Sequence, residues 1–151
     1  MTGVSFDNVS LAQFPNGLEK IFKPINFLFI RRTNLQEIHK NDLKNFPDLT
    51  GIYLIFNKIE YFEDDLFKFN PKLTSVFLMD LPIKHVDPKI LSGLNYLQDL
   101  IIGTCKNSKT FDSLNFTMTV KEIVKNIEDG ACSNEKFYVK STTLALGDGE
   151  I

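Results

Sequence analysis

A repeat of 24 residues constrains this chain more than any other feature. With Ile25 taken as position 1, Ile25, Leu28, Ile30, Leu35 and Ile38 fall at positions 1, 4, 6, 11 and 14. One step of 24 brings Leu49, Ile52, Leu54, Ile59 and Phe62 to the same positions, and a second brings Leu73, Val76, Leu78, Ile83 and Val86. A step back gives Met1, Val4, Phe6, Leu11 and Phe14. All 20 sites are apolar against a 43% apolar background, with chance odds far below roughly one in a million. A period of this length is the signature of a stacked-coil architecture.

The spacing reads mechanically. Inward residues at positions 4 and 6, with position 5 pointing the other way, describe a short strand buried on one face. A turn is expected near position 9. Positions 11 and 14, then 18, 19 and 22, return the chain along the opposite side through Leu18 and Phe22, Leu43 and Phe46, Leu66 and Phe67, and Ile90, Leu91 and Leu94. One such coil cannot bury its own apolar side, so the coils must stack. Phe6, Phe14, Phe22, Phe46, Phe62 and Phe67 are thereby assigned to the interior.

The fifth coil starts at Leu97, Leu100 and Ile102 and breaks at Asn107, where position 11 should be apolar. A solenoid needs a cap over its last apolar face. Val120, Ile123, Val124 and Ile127 share one helical face, Thr119 with Glu122 forms a capping box, and Gly130 supplies a stop. A helix is therefore expected over about 118–129. The organisation predicted is coils at 1–24, 25–48, 49–72 and 73–96, a partial coil at 97–104, a cap at 105–140 and a mobile tail at 141–151.

Leu49-Thr-Gly-Ile52-Tyr-Leu54-Ile-Phe-Asn57-Lys-Ile59-Glu-Tyr-Phe62 resembles the leucine-rich repeat pattern L-x-x-L-x-L-x-x-N/C-x-L-x-x-L. The 24-residue length with Phe or Leu on the convex side is similar to the extracellular class of that family. The charged, Asn- and Phe-rich texture resembles small secreted insect leucine-rich repeat proteins. The resemblance covers Met1 to about Cys105. It implies an α/β solenoid: a horseshoe segment with a short parallel concave sheet of about five strands, an irregular convex side and a C-terminal helical cap. Position 9 departs from the pattern, reading Val9, Thr33, Asn57, Leu81 and Cys105. In the family an Asn there hydrogen-bonds the backbone of the turn; Val9 and Leu81 cannot, so a less regular turn is expected near Leu81-Pro82.

Cys105 and Cys132 are the two cysteines and bracket the cap. Their placement resembles the C-terminal flanking region of extracellular leucine-rich repeats, though that region usually holds four cysteines. The resemblance implies a disulfide, whose closure of this span contributes roughly 3–4 kcal/mol in the chain-entropy model. The alternative is two reduced thiols, with Cys105 filling a small buried position. Asn8 and Asn115 are candidate glycosylation sites, in Asn8-Val9-Ser10 and Asn115-Phe116-Thr117. Their number is close to chance for this composition.

Lys+Arg 17 against Asp+Glu 19 leaves a net charge of −2, which argues against nucleic acid as a partner. No apolar run approaches the roughly 20 residues of a membrane span, and the N-terminus carries no leader. The chain is then either cytosolic or a mature or partial form; the resemblance favours a secreted, extracellular protein. His39 and His85 lie two coils apart on the convex turn side without a nucleophile nearby. Phosphate-binding loops, nucleophile elbows and zinc-type motifs are missing, and Glu63-Asp64-Asp65 reads as a solvated loop. The expectation is a protein without catalysis, cofactor or metal.

The strand residues that the core does not need are more informative. Position 5 reads Ser5, Phe29, Tyr53, Phe77 and Ile101; position 7 reads Asp7, Arg31, Ile55, Met79 and Gly103; position 8 reads Asn8, Arg32, Phe56, Asp80 and Thr104. Phe27 stands at position 3. With strands about 4.8 Å apart, Phe27, Phe29, Tyr53, Ile55, Phe56, Phe77 and Met79 should form one patch edged by Arg31, Arg32 and Asp80. A large apolar surface with aromatic anchors and arginine is what protein-binding faces favour. The readings are a secreted module binding a protein or peptide ligand, a self-associating matrix or structural protein that forms a homodimer through the same face, and an intracellular adaptor.

Overall fold

Alternating apolar residues at positions 4 and 6, rich in Ile, Leu, Val and flanking Phe, favour extended backbone buried on one side. The computed structural model, which describes residues 2–84, 86–103 and 137–140, places a strand at this point of every coil. These are β1 (Gly3–Asp7), β2 (Phe27–Arg31), β3 (Gly51–Ile55), β4 (Ser75–Met79) and β5 (Asp99–Gly103). They form one sheet in sequence order, each parallel to the next and in a register of 24 residues without slip: Phe29 lies beside Tyr53, and Tyr53 beside Phe77.

A sixth strand, β6 (Phe137–Lys140), pairs antiparallel with β5, Leu100 opposite Val139. The sequence reading did not foresee it; that stretch was assigned to the cap. The helix expected over 118–129, the cysteines Cys105 and Cys132, the sequon at Asn115 and the tail at 141–151 all lie outside the described residues.

The return side of each coil is short and variable, with α1 (Leu18–Ile21), α2 (Lys40–Leu43), turns through residues 64–69 and a 3-10 helix at Pro88–Leu91. Asp87 opens the last of these, its side chain accepting from the Lys89 N–H at 2.8 Å. Between sheet and return side runs one continuous core. In the second, third and fourth coils every residue at positions 1, 4, 6, 11 and 14 is buried, joined by Leu43, Phe46, Leu66, Phe67, Ile90, Leu91 and Leu94. In the first coil Phe6 and Leu11 are only partly buried. Phe22, assigned to the interior, is 41% exposed instead. Phe46, its counterpart one coil on, packs against Phe14 of the coil before, ring centroids 6.3 Å apart.

Two buried amides stitch coils together. The Thr33 N–H and hydroxyl both donate to Asn57 Oδ1, at 3.0 and 2.8 Å. Asn57 Nδ2 donates to the carbonyls of Ile30 and Ile55, at 2.9 and 3.1 Å. Asn70, at position 22 where an apolar residue was expected, donates to the carbonyls of Leu43 and Phe46, at 3.0 and 2.9 Å. At the turn near Leu81-Pro82, where a less regular path was expected, the backbone at position 8 matches the other coils. Asp80 carries a φ of 51°, matching Asn8, Arg32 and Phe56 at 57°, 53° and 52°, and Leu81 is fully buried. Position 9 can thus be served by an amide that bonds the turn or by a side chain that fills the space beneath it.

Candidate functional site: the aromatic face of the sheet

Position 5 points out of the sheet opposite the core, so the register alone puts Phe29, Tyr53 and Phe77 side by side. Their rings touch. Tyr53 meets Phe77 edge to face at 4.7 Å between centroids, and Phe29 at 6.0 Å in a tilted contact. Phe27 reaches diagonally across β3 and stacks on Tyr53 at 6.3 Å, 23° between planes. These are the separations at which aromatic pairs attract. Phe27, Phe29, Tyr53, Ile55, Phe77 and Met79 are all half-buried, so the expected patch exists. At the fifth coil the column changes: Ile101 is 8% exposed.

The diagonal reach of Phe27 depends on a residue that the sequence reading passed over. Gly51 is its direct neighbour on β3. A Cβ on Gly51 would lie 2.5 Å from Phe27 Cδ1, 2.7 Å from Cε1 and 2.9 Å from Tyr53 Cε2. Gly51 is therefore the floor on which two rings close up. The available signal was a Gly inside a strand pattern, which marks a close approach.

The polar rim differs from expectation. Of the expected edge residues Arg31, Arg32 and Asp80, only Arg32 is exposed. Arg31 donates from Nε and Nη2 to the two carboxylate oxygens of Asp7, at 3.0 and 2.6 Å, with its guanidinium 5.8 Å from the Phe29 ring centre. That hydrogen bond holds the Asp7 carboxyl below the usual carboxylate range and raises Arg31 above its own. Asp7 and Arg31 stand one repeat apart, a spacing that makes opposite charges neighbours here. Arg32 is exposed, 5.4 Å from the ring centre of Phe56, itself 48% exposed. Both lie just past the ends of their strands on left-handed backbone, rather than in the sheet plane as position 8 suggested. Asp80 is half-buried and engaged. Asn8, the described glycosylation candidate, is exposed at the same turn of the first coil.

The opposite side carries a different surface. An open groove of about 640 Å³ is lined by Glu37, His39, Lys58, Glu60, Tyr61 and Glu63 among others. Two of its acidic groups have partners: Lys84 Nζ bonds Glu60 at 2.6 Å, and His39 Nδ1 lies 3.2 Å from Glu63. Lys40 Nζ bonds Asp65 nearby at 2.8 Å. The hydrogen bond from Lys40 lowers the Asp65 carboxyl, and that to Glu60 raises Lys84. These pairs tie one coil to the next. Among the described residues no cluster of three metal-type ligands occurs, and no helix is long and apolar enough to cross a membrane.

No protein-family model and no curated protein sequence matches this chain. Among solved structures it is similar to a chain of the Drosophila Toll–Spatzle complex, with a TM-score of 0.62 and 17% identity. The similarity covers 70% of this chain and 14% of that one, so the present chain corresponds to a small part of that protein's length. At that identity the likeness concerns the backbone. Together with five parallel strands stacked at a 24-residue pitch, it gives the chain a leucine-rich-repeat-like solenoid fold.

Proposed function

We propose that this chain is a non-catalytic recognition module of the secreted type, which binds a protein or peptide through the aromatic face of its sheet. The observation that carries this reading is the joined cluster of Phe27, Phe29, Tyr53 and Phe77, half-exposed on the side of the strands that the core does not use. Rings already packed against each other lose little freedom on binding, and their apolar area is what a partner's surface desolvates. The rigid solenoid holds that array at a fixed pitch. The structural neighbour is itself a protein complex, which is in keeping with such a role and is said here of that protein alone. The secreted assignment rests on the family resemblance of the repeats, and with it the disulfide between Cys105 and Cys132.

The test is a random-peptide display selection on the intact chain and on the Phe29→Ser/Tyr53→Ser/Phe77→Ser variant, with folding checked by circular dichroism. The proposal expects enrichment on the parent chain and none on the folded variant. Equal enrichment on both would place binding elsewhere on the molecule. A chain that sediments as a dimer at micromolar concentration, and as a monomer after the triple substitution, would make self-association the use of this face.

A further inference from the structure

We propose that the partner of this face is a short apolar segment carrying an Asp or Glu side chain, and that Arg32 is the residue that selects it. This rests on reading the sheet as the binding surface and adds which chemistry it accepts. The chain has two arginines, adjacent in sequence, and the fold gives them separate work. The fork of Arg31 is filled by Asp7 in a two-bond pair. Among the described residues, no ion pair includes Arg32. Its guanidinium lies instead beside the exposed Phe56 ring, near enough to Asp7 to add to the lowering of that carboxyl but not paired with it, so its planar fork can still meet a partner's carboxylate.

The backbone gives an independent reason. Position 8 is left-handed in each of the first four coils. Asn and Asp tolerate that conformation best, and bulky residues pay for it. Asn8 and Asp80 occupy it in the first and fourth coils, whereas Arg32 and Phe56 occupy it in the two between. The strained pair stands at the ends of β2 and β3, the strands that carry Phe27, Phe29 and Tyr53. Turn geometry would be better served by Asn at both, so a role outside the turn accounts for their presence.

The footprint limits the partner's size. From β2 to β4 the aromatic face is about 10 Å wide, and positions 3 to 7 run about 13 Å along the strands. That admits one segment rather than a broad globular surface. The chain's net charge of −2 gives an acidic segment no general attraction, so selection has to be local to Arg32.

The experiment is the same display selection, with peptides joined through their C-termini so that only side chains supply carboxylates. It is run on the intact chain, Arg32→Gln, Lys84→Gln as a charge control on the opposite side, and the triple Ser variant. The expected motif pairs apolar residues with Asp or Glu. A synthetic consensus peptide should bind roughly 5- to 10-fold more tightly than its Glu→Gln or Asp→Asn analogue, less so at high salt. Arg32→Gln should bind both forms alike, while Lys84→Gln keeps the preference. Motifs without an acidic residue, a preference that survives Arg32→Gln, or no enrichment on the intact chain would each overturn the inference. Enrichment lost in the triple variant but indifferent to Arg32 would overturn it and leave the concave-face reading standing; enrichment unchanged in the triple variant would overturn that reading itself.

Discussion

On the inward face of β2, β3 and β4, Leu28, Ile30, Ile52, Leu54, Val76 and Leu78 have no exposed surface. One residue away along the same strands, Phe29, Tyr53 and Phe77 stay half-exposed. The inward rule holds through β2 to β5, and in β1 Val4 is buried while Phe6 is only partly so. The outward one does not: position 5 begins at Ser5, turns aromatic for three coils and ends at Ile101. Stacking requires the first pattern, because each coil buries its neighbour's apolar side. Nothing in the stacking of the cores requires the second, and the proposed recognition role would account for it.

The sharpest way to break this comparison is on the buried side. Leu78→Ala should cost about 2–5 kcal/mol in urea unfolding, from lost burial and the cavity left behind; a loss well under 1 kcal/mol would mean the coils are not packed together. Asn57→Ala should cost about 1–3 kcal/mol by the same measurement, because the Thr33 N–H and the Ile30 carbonyl lose buried partners. On the sheet's outer face, Gly51→Ala should cost about 1–3 kcal/mol, since its Cβ would lie under 3 Å from the rings of both Phe27 and Tyr53. It should also push Phe27 off Tyr53, visible as shifted Tyr53 ring resonances and weaker peptide binding. Unmoved resonances would mean that Phe27 does not rest on β3.

The smallest expected effect concerns acid. Asp7 and Asp65 have carboxyls held below the usual range by Arg31 and Lys40. A lowered carboxyl stabilises the fold at pH values above its unfolded titration, near 4, and that contribution fades as pH falls through the folded value. The melting-temperature gap between the parent and Asp7→Asn/Asp65→Asn should therefore be small at neutral pH and vanish once the pH has fallen through the lowered folded-state titration. A gap that widened on acidification would reverse the sign.

Most of the fold was legible because a 24-residue period specifies both register and inward face. Once Ile30 and Leu54 are both inward, Phe29 must lie beside Tyr53. The site was legible for the same reason in its centre and less so at its rim. Arg31 looked available because its partner stands 24 residues away, and pairing at that spacing becomes visible only when opposite charges are read across coils. Arg32 and Phe56 were placed in the sheet although the strand ends one residue earlier, since apolar spacing carries no information on left-handed backbone. Phe22 differs from expectation because a position suited to the core in one coil need not be covered in another. Strand β6 left no trace, because one short run without a periodic neighbour cannot be told from a loop.

Tyr53 and Leu54 are adjacent on one strand and face opposite ways, so they test the central claim most directly. Urea unfolding of Leu54→Ala is predicted to show a loss of about 2–5 kcal/mol. Tyr53→Ala, which removes three ring contacts but leaves no buried cavity, is predicted to lose less than Leu54→Ala and to abolish peptide enrichment. If Tyr53→Ala proved as destabilising as Leu54→Ala while peptide binding persisted, the aromatic face would be a structural layer and not a recognition surface.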